Sequence, residues 1–530
     1  MKRMKKLACL FLALVLALSM SMTVFASEAG EPDDVVTKTE FTVQLTGGEK
    51  TPTTGHTYTV YQIFTGDLHD GKLSNVKYGK SYGTEGAEVA KEALGAIKES
   101  GADAFAKDLV TKNELGTAYG ELKESNDWKL DKVPAGYYLI VDTTEKLPDG
   151  HERSRYIVEV VDDVNVEPKS GVLSVIKKVD DNNDSTGLEN GIVWHDSADH
   201  DLGDMIDFKI ETTLPDDLMT YDTYKLTLHD TQSPGLDFKA ETVKVYLDNS
   251  ETPLAGGYEV VIADKDHSTC TFEVKFADVT ALAGVKNGSV ITVRYQSQLN
   301  SGAIMGSTGN PNGVYGEYSN SYFPNDNGKT PVDKVIVFTY KVNVDKYKEE
   351  VAEGKELTGA GFTLYKEVVE DSEGNYPAGA KTGAEIKATF ADTNVKAGAL
   401  KDASYYIERA VTTTDAEGDT FSFERIDDGT YVLVETTIPA GYNAWDAVEF
   451  VVTAEHDTEA DNPKLTELEG GDLFTGEVST GVLDTDVINN AGTTLPETGG
   501  IGTTIFYVIG AILAIGAAVI LVTKKRMNEN

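Results

Sequence analysis

The stretch VNVEPKSGVLSVIKKV, residues 164–179, joins two strand-like runs through a Pro-Lys-Ser-Gly break. This order of strand, turn residues and strand predicts β structure and a domain boundary at the break. Side chains alternate between the faces of a strand, so one face of the second run carries Leu173, Val175, Lys177 and Val179. This apolar face is expected to face a core, whereas Lys178 is expected to be solvated. An ammonium group is costly to bury, so Lys177 needs an explanation.

The same pattern continues along the chain in both directions from this stretch. Short runs rich in Val, Tyr and Thr alternate with Gly, Asp, Asn and Pro, which predicts an all-β fold of three tandem sandwiches. Helical spacing over residues 85–115 predicts a helical insert in the first domain. We expect domains at residues 27–168, 171–340 and 341–492.

The two ends of the chain predict export and anchoring. Residues 1–26 combine a basic start, an apolar core and a small residue at Ala26, which is typical of a cleaved signal peptide. The C-terminal segment 495–530 contains LPETGG, a mostly apolar run at 505–522 and a basic tail. The run is long enough to span a membrane, and its basic flank would stay in the cytoplasm. We therefore expect contact with the membrane only in the precursor.

Composition excludes several classes of function. The formal net charge of −40 argues against nucleic acid and anionic membrane surfaces as partners. Of the two cysteines, only Cys270 remains after removal of the signal peptide, so no internal disulfide is expected. The His195 and His200 region lacks recognised zinc spacing, and no nucleotide-binding or hydrolase motif occurs. We expect no cofactor, no metal and no enzymatic activity on another substrate.

A second domain repeats the inward lysine. In the strand-like run DKVIVFTYKVNVDK (333–346), Lys346 shares a face with Val342 and Val344. A buried lysine loses its proton readily, and a neutral amine is a nucleophile. It could attack an asparagine carboxamide and expel ammonia if a neighbouring acid polarises the carbonyl group and moves protons.

Candidate acids and asparagines lie in both domains. The middle domain offers Asp230 in KLTLHD, with Asn312 and Asn320 on one strand parity. Asn312 is favoured if its strand runs antiparallel to the strand of Lys177, because the start of the first would then lie near the end of the second. The third domain offers Glu435, the odd residue of an apolar strand, and Asn489 in the last strand. The alternation alone leaves open that both lysines lie at a sandwich rim with only their stems covered.

Together with the motifs quoted next, these features make the chain resemble the sortase-assembled backbone (major) pilins of Gram-positive bacteria over essentially its whole length. The motifs are TVYQIFTGDL with GYYLI, LSVIKKVDD with LTLHDTQSPGL, YVLVETTIPAGY (the E-box of that family) and LPETGG. The resemblance implies immunoglobulin-like sandwiches of the collagen-adhesin type. It also implies isopeptide crosslinks: Lys177 to Asn312 or Asn320, assisted by Asp230, and Lys346 to Asn489, assisted by Glu435.

The resemblance also gives a role to Lys169. Such pilins carry a motif, commonly Tyr-Pro-Lys-Asn, whose lysine attacks the acyl-enzyme that a sortase forms with another subunit. Lys169 follows Pro168 as required, although Glu167 and Ser170 replace the tyrosine and the asparagine. The sorting signal comprises Leu495, Pro496, Glu497, Thr498 and Gly499, with cleavage expected between Thr498 and Gly499.

The resemblance favours one function over a second. The leading hypothesis is a structural subunit of a covalent pilus shaft, with sortase, identical subunits, minor pilins and peptidoglycan as partners, on the cell wall. The alternative is a wall-anchored adhesin or minor pilin that binds a host ligand with the same sandwiches.

Overall fold

The computed structural model describes most of the exported body of the chain. It describes residues 38–48, 51–168, 172–182, 192–262, 270–321, 326–371, 374–412, 419–492 and Leu513. The predicted signal peptide, Lys169, the sorting-signal residues 495–499 and most of the apolar run lie outside the described residues. Within the described part, no helix is long and apolar enough to cross a membrane.

The first domain packs a three-stranded sheet, β5-β1-β8, and a larger sheet, β3-β2-β6-β7, with β4 paired to β2. Helices α1 and α2 form the predicted helical insert, and Phe105 and Leu109 of α2 belong to a cluster with Phe64 of the larger sheet. The elements are β1 (Glu40–Leu45), β2 (Thr57–His69), β3 (Lys72–Tyr78), α1 (Lys91–Ser100), α2 (Ala102–Thr111), β4 (Gly120–Lys123), β5 (Lys129–Pro134), β6 (Gly136–Asp142), β7 (Arg155–Val160) and β8 (Val164–Val166).

The middle domain is a sandwich of two sheets, ordered β10-β9-β12-β17-β14 and β11-β20-β18-β13-β16-β15, with β19 paired to β18. Inward residues such as Phe208, Leu228 and Val293 are at most 1% exposed and form its core. Its strands are β9 (Val175–Asp180), β10 (Trp194–His195), β11 (Ser197–Asp199), β12 (Met205–Thr213), β13 (Leu226–Gln232), β14 (Leu236–Leu247), β15 (Glu259–Ile262), β16 (Phe272–Phe276), β17 (Val290–Leu299), β18 (Asn310–Ser319), β19 (Asn327–Lys329) and β20 (Asp333–Phe338).

The third domain has one sheet ordered β25-β21-β30-β29 and another ordered β23-β24-β22-β26-β27-β28. In the first of these sheets, β21 and β30 run parallel over eight residue pairs. The elements are β21 (Tyr340–Lys348), β22 (Gly361–Val368), β23 (Lys381–Thr382), α3 (Gly383–Thr389), β24 (Tyr405–Thr412), β25 (Thr420–Ile426), β26 (Gly429–Thr437), β27 (Val448–His456), β28 (Leu465–Glu469), β29 (Thr475–Glu477) and β30 (Val482–Asn489).

Helix α3 was not predicted from the sequence. A capping box starts it, in which the Thr382 hydroxyl accepts a hydrogen bond from the Glu385 amide while the Glu385 carboxylate accepts one from the Thr382 amide. This pairing satisfies backbone groups that a helix start leaves without partners. The Thr-x-x-Glu spacing is readable in the sequence, but the helix is too short to show apolar periodicity.

The described chain forms two compact units. One comprises the residues up to Asn182, Ile192–Thr339 and the segment His456–Thr466. The other comprises Tyr340–Glu455 and the residues from Glu467 onwards. The predicted all-β class, with tandem immunoglobulin-like sandwiches and a helical insert in the first, is confirmed.

Candidate crosslinking sites

Lys177 lies in β9 with its side chain in the interior of the middle sandwich. Val175, Lys177 and Val179 are at most 5% exposed, whereas Ile176 between them is 47% exposed. The alternation read from the sequence therefore holds, and Lys177 is a fully buried lysine rather than one at the rim. Aromatic rings line its head group, with Nζ 5.2 Å from the ring centre of Tyr295 and 5.7 Å from that of Phe208.

Three polar side chains surround the Lys177 amine. Its Nζ contacts Asp230 Oδ2 and donates a hydrogen bond to the Tyr295 hydroxyl oxygen at 2.7 Å. The same hydroxyl donates to Asp230 Oδ2 at 2.9 Å and accepts from Asn312 Nδ2 at 2.9 Å. Tyr295 thus connects the acid and the asparagine, and none of the four side chains reaches solvent.

Burial sets the protonation of this site. It lowers the pKa of Lys177, although the Asp230 charge opposes the shift, and it raises the pKa of Asp230 against the effect of Lys177. Burial also raises the pKa of Tyr295 well above its usual value. Both shifts of the lysine–aspartate pair favour the neutral amine and the neutral carboxylic acid. These are the forms needed for nucleophilic attack and for proton donation.

The structure brings Asn312 to Lys177 and leaves Asn320 elsewhere. Asn312 is fully buried, and its Oδ1 has no hydrogen-bond partner among the described residues. Asn320 follows the end of β18, where its backbone hydrogen-bonds to Arg153 and Asp326. The two strands lie in different sheets, because β9 pairs with β10 and β12 whereas β18 pairs with β20 and β13. Asn312 and Lys177 therefore approach the same Tyr295 hydroxyl from two different sheets rather than from neighbouring strands.

The third domain assembles a second set with a different layout. Lys346 on β21 and Asn489 on β30 belong to neighbouring parallel strands, whereas Glu435 extends from β26 of the other sheet. Lys346 Nζ donates to Asn489 Oδ1 at 2.7 Å, and Asn489 Nδ2 donates to Glu435 Oε1 at 2.7 Å. Lys346 Nζ lies 3.4 Å from Glu435 Oε1. All three side chains are at most 1% exposed.

The surroundings of this set lower the pKa of Lys346 and fix the position of the Glu435 carboxyl group. Burial lowers the pKa of Lys346 to about 8, partly opposed by the Glu435 charge. The amide of Trp445 donates to Glu435 Oε2 at 2.8 Å, which holds the carboxyl group in place. A lysine with this pKa has a substantial neutral fraction near pH 8, unlike a solvated lysine.

The geometry fits an amine attack on a carboxamide. Lys346 Nζ touches the Asn489 oxygen, which is bonded to the carbon that the amine would attack. The Nζ–Cγ bond would form and the Cγ–Nδ2 bond would break, and Nδ2 would leave as ammonia. Glu435 contacts both nitrogen atoms, so it can take a proton from Nζ and deliver one to Nδ2.

Comparison with known protein families gives a match for the third domain. Residues 341–464 match the model of the SpaA family, described as a prealbumin-like fold domain. The chain carries a SpaA-type domain. Residues 488–529 match the LPXTG cell wall anchor motif, which confirms the predicted cell-wall localisation. No curated protein matches the chain in sequence.

Solved structures extend the similarity beyond the SpaA-type domain. The T6 backbone pilin of serotype M6 Streptococcus pyogenes has a TM-score of 0.51 and 16% identity, over 86% of this chain and 99% of the pilin. The full-length major pilin SpaD from Corynebacterium diphtheriae has a TM-score of 0.46 and 18% identity, over 87% of this chain and 99% of SpaD. The likeness to the T6 pilin shows a shared fold, and the resemblance to backbone pilins seen in the sequence is confirmed.

The first domain contains a buried acid, Asp142, but no buried lysine beside it among the described residues. Asp142, which the sequence pattern places opposite Glu435, is buried and its Oδ2 lies 2.7 Å from His56 Nδ1. Lys38 is exposed and pairs with Asp163, and Asn165 is also exposed. The described part of this domain therefore brings no lysine and asparagine together as the other two do.

Sequence reasoning missed Tyr295 and one further buried pair. Tyr295 follows the apolar alternation of β17, so the sequence gives it no signal beyond a core aromatic residue. Lys366 and Asp427 of the SpaA-type domain are also fully buried and in contact, and Tyr431 donates to Asp427 Oδ1 at 3.0 Å. Lys366 follows Phe362 and Leu364 at the two-residue spacing of one strand face. This spacing could have indicated an inward-facing lysine.

The expectation that Lys178 is solvated is wrong. Its side chain is only 18% exposed, and Nζ lies 2.8 Å from both Asp196 Oδ1 and Glu459 Oε2. Strand parity correctly placed it on the face away from the core, but parity does not show what covers that face.

Proposed function

We propose that this protein is the shaft subunit of a covalently polymerised surface pilus. Sortase joins the subunits through Lys169 and Thr498, and Lys–Asn isopeptide bonds crosslink each subunit internally. The observation that carries the proposal is the pair of fully buried lysine, acid and asparagine sets in a chain with a pilin fold and a cell wall anchor motif.

The two crosslinks join Lys177 to Asn312 and Lys346 to Asn489. Asp230 and Glu435 act as the assisting acids, and Tyr295 connects the middle-domain set. A buried ammonium group without a partner would destabilise either core. Conversion of each lysine to an amide in the crosslink removes that charge and its destabilising effect. The reaction is a single self-catalysed event per site and needs no cofactor.

Tensile load gives the crosslinks a physical purpose. In the third domain, β21 is the first strand, and β30 is the last strand before the sorting signal. Pulling on the two ends of the domain would separate these parallel neighbours. A bond from Lys346 to Asn489 carries the load directly past the intervening chain, whose sequence separation is 143 residues. A disulfide would do the same only at the cost of redox sensitivity.

Polymerisation supplies the test of this function. Wall proteins released by muramidase and probed with an antibody to this chain should show a ladder of high-mass bands. Deleting residues 495–499 should remove the ladder and leave single subunits in the membrane fraction, because no acyl-enzyme can form and the apolar run at 505–522 is not cut off. A single wall-linked band in the unaltered strain would contradict the shaft role and favour a monomeric anchored adhesin.

A further inference from the structure

The strand that presents Asp230 to the core presents His229 to the outer face of the same sheet. His229 on β13 lies directly opposite Glu273 on β16, and Cys270 comes two residues before β16 begins. One potential ligand atom from each of these three residues lies within 4.8 Å of the other two. The side chains of His229 and Glu273 are only 13% and 17% exposed.

We propose that His229, Cys270 and Glu273 bind a Zn²⁺ ion on the outer face of the middle sandwich. The sequence predicted no metal, because the three residues have no recognisable spacing along the chain. Sheet pairing, rather than sequence proximity, brings them together. The site is separate from the crosslinking sets and does not depend on the proposed pilus function.

The distances suit zinc. His229 Nδ1 and Glu273 Oε1 are 3.0 Å apart. Tetrahedral zinc with bonds of about 2.0 Å to nitrogen and oxygen needs roughly 3.3 Å between two such ligand atoms. Cys270 Sγ, within 4.8 Å, would need to approach to about 3.5 Å for a Zn–S bond of about 2.3 Å. Cys270 precedes the strand, where a rotamer change can supply this movement. Water would complete the four-coordinate site.

Two charged side chains lie next to the proposed ligands. Glu317 Oε2 lies 3.9 Å from His229 Nε2, which is beyond hydrogen-bonding distance, so a small movement is needed to join them. A carboxylate that accepts a hydrogen bond from the second nitrogen of a ligating histidine fixes the ring and its tautomer. Lys275 Nζ lies 2.6 Å from Glu273 Oε2, which leaves Oε1 directed at the histidine.

The ligand types select the metal class. Thiolate, imidazole and carboxylate together match Zn²⁺, whereas Ca²⁺ and Mg²⁺ prefer oxygen ligands alone. An ordinary cross-strand ion pair involves only His229 and Glu273. Zinc binding gives one role to all three side chains.

Thiol protection tests the proposal. In the full chain carrying Cys9→Ser, Cys270 is the only thiol, so its reaction rate with a small maleimide can be followed without ambiguity. We expect equimolar Zn²⁺ to slow this reaction at least tenfold and a chelator to restore it. Titration should give one Zn²⁺ per chain.

Matched variants separate the zinc site from general shielding. In the same background, Glu273→Gln and His229→Gln should each weaken zinc protection at least tenfold, whereas Glu241→Gln, an exposed acid on β14 of the other sheet, should not. Cys270→Ser should abolish a zinc-induced rise in melting temperature and leave the melting temperature in chelator unchanged. Equal maleimide rates with and without Zn²⁺ in the Cys9→Ser chain, or full protection in Glu273→Gln, would overturn the proposal.

Discussion

Replacing Glu435 with alanine is expected to lower the melting temperature of the third domain by about 10–20 °C and to make it sensitive to protease. Without the acid, proton transfer to and from Asn489 fails and the Lys346–Asn489 bond does not form. The crosslink closes a loop with a sequence separation of 143 residues. Closing a loop of this length contributes about 4–5 kcal/mol of stability by restricting the unfolded chain. For a domain of this size, each kcal/mol corresponds to about 2–4 °C in melting temperature.

Two further variants separate the bond from the ion pair. Asn489→Ala also lacks the crosslink but keeps Lys346 beside Glu435, so it should melt between the unaltered protein and Glu435→Ala. The difference arises because Glu435→Ala leaves a buried amine without its acid. Glu424→Ala removes an acid that is 43% exposed on the adjacent strand β25 and should melt within a few degrees of the unaltered protein. An unchanged melting curve for Glu435→Ala would contradict the crosslink.

Replacing Lys169 with arginine is expected to abolish the high-mass ladder in wall extracts. Arginine keeps the positive charge, but its guanidinium group stays protonated and cannot attack an acyl-enzyme. Because the substitution lies in the Pro-Lys-Ser-Gly break between domains, the subunit should still fold and be exported. The measurement is an immunoblot of wall extracts together with the melting temperature of the purified variant.

Lys178→Arg is the matched control for this variant. Lys178 is nine residues away and already engaged with Asp196 and Glu459, a role that arginine can fill. Its ladder should match that of the unaltered strain. A ladder that persists in Lys169→Arg would assign polymerisation to another lysine, and one lost equally in Lys178→Arg would indicate a folding defect.

Strand alternation predicted much of the fold and of the candidate sites. A lysine at an apolar position of a strand is a local feature, so Lys177, Lys346 and the acid Glu435 could be picked out from single runs of sequence. The inward direction of these residues follows from the two-residue period of a strand, which tertiary packing did not change.

Pairing across the core could not be predicted in the same way. Alternation gives the face of a strand but not its sheet, so the sequence did not show that the Lys177 and Asn312 strands lie in different sheets with both side chains in one polar cluster. Tyr295 and the buried Lys366–Asp427 pair depend on contacts between strands far apart in sequence. The His229, Cys270 and Glu273 cluster also arises only when β13 pairs with β16.

Mass spectrometry of tryptic peptides from the secreted protein tests the crosslinks most directly. We expect one peptide pair that joins Lys177 to Asn312 and another that joins Lys346 to Asn489. Each pair should be lighter than the sum of its parts by one ammonia, and the intact chain should be lighter by two. An intact mass equal to that of the unmodified chain, with linear peptides containing unmodified Asn312 and Asn489, would contradict both crosslinks.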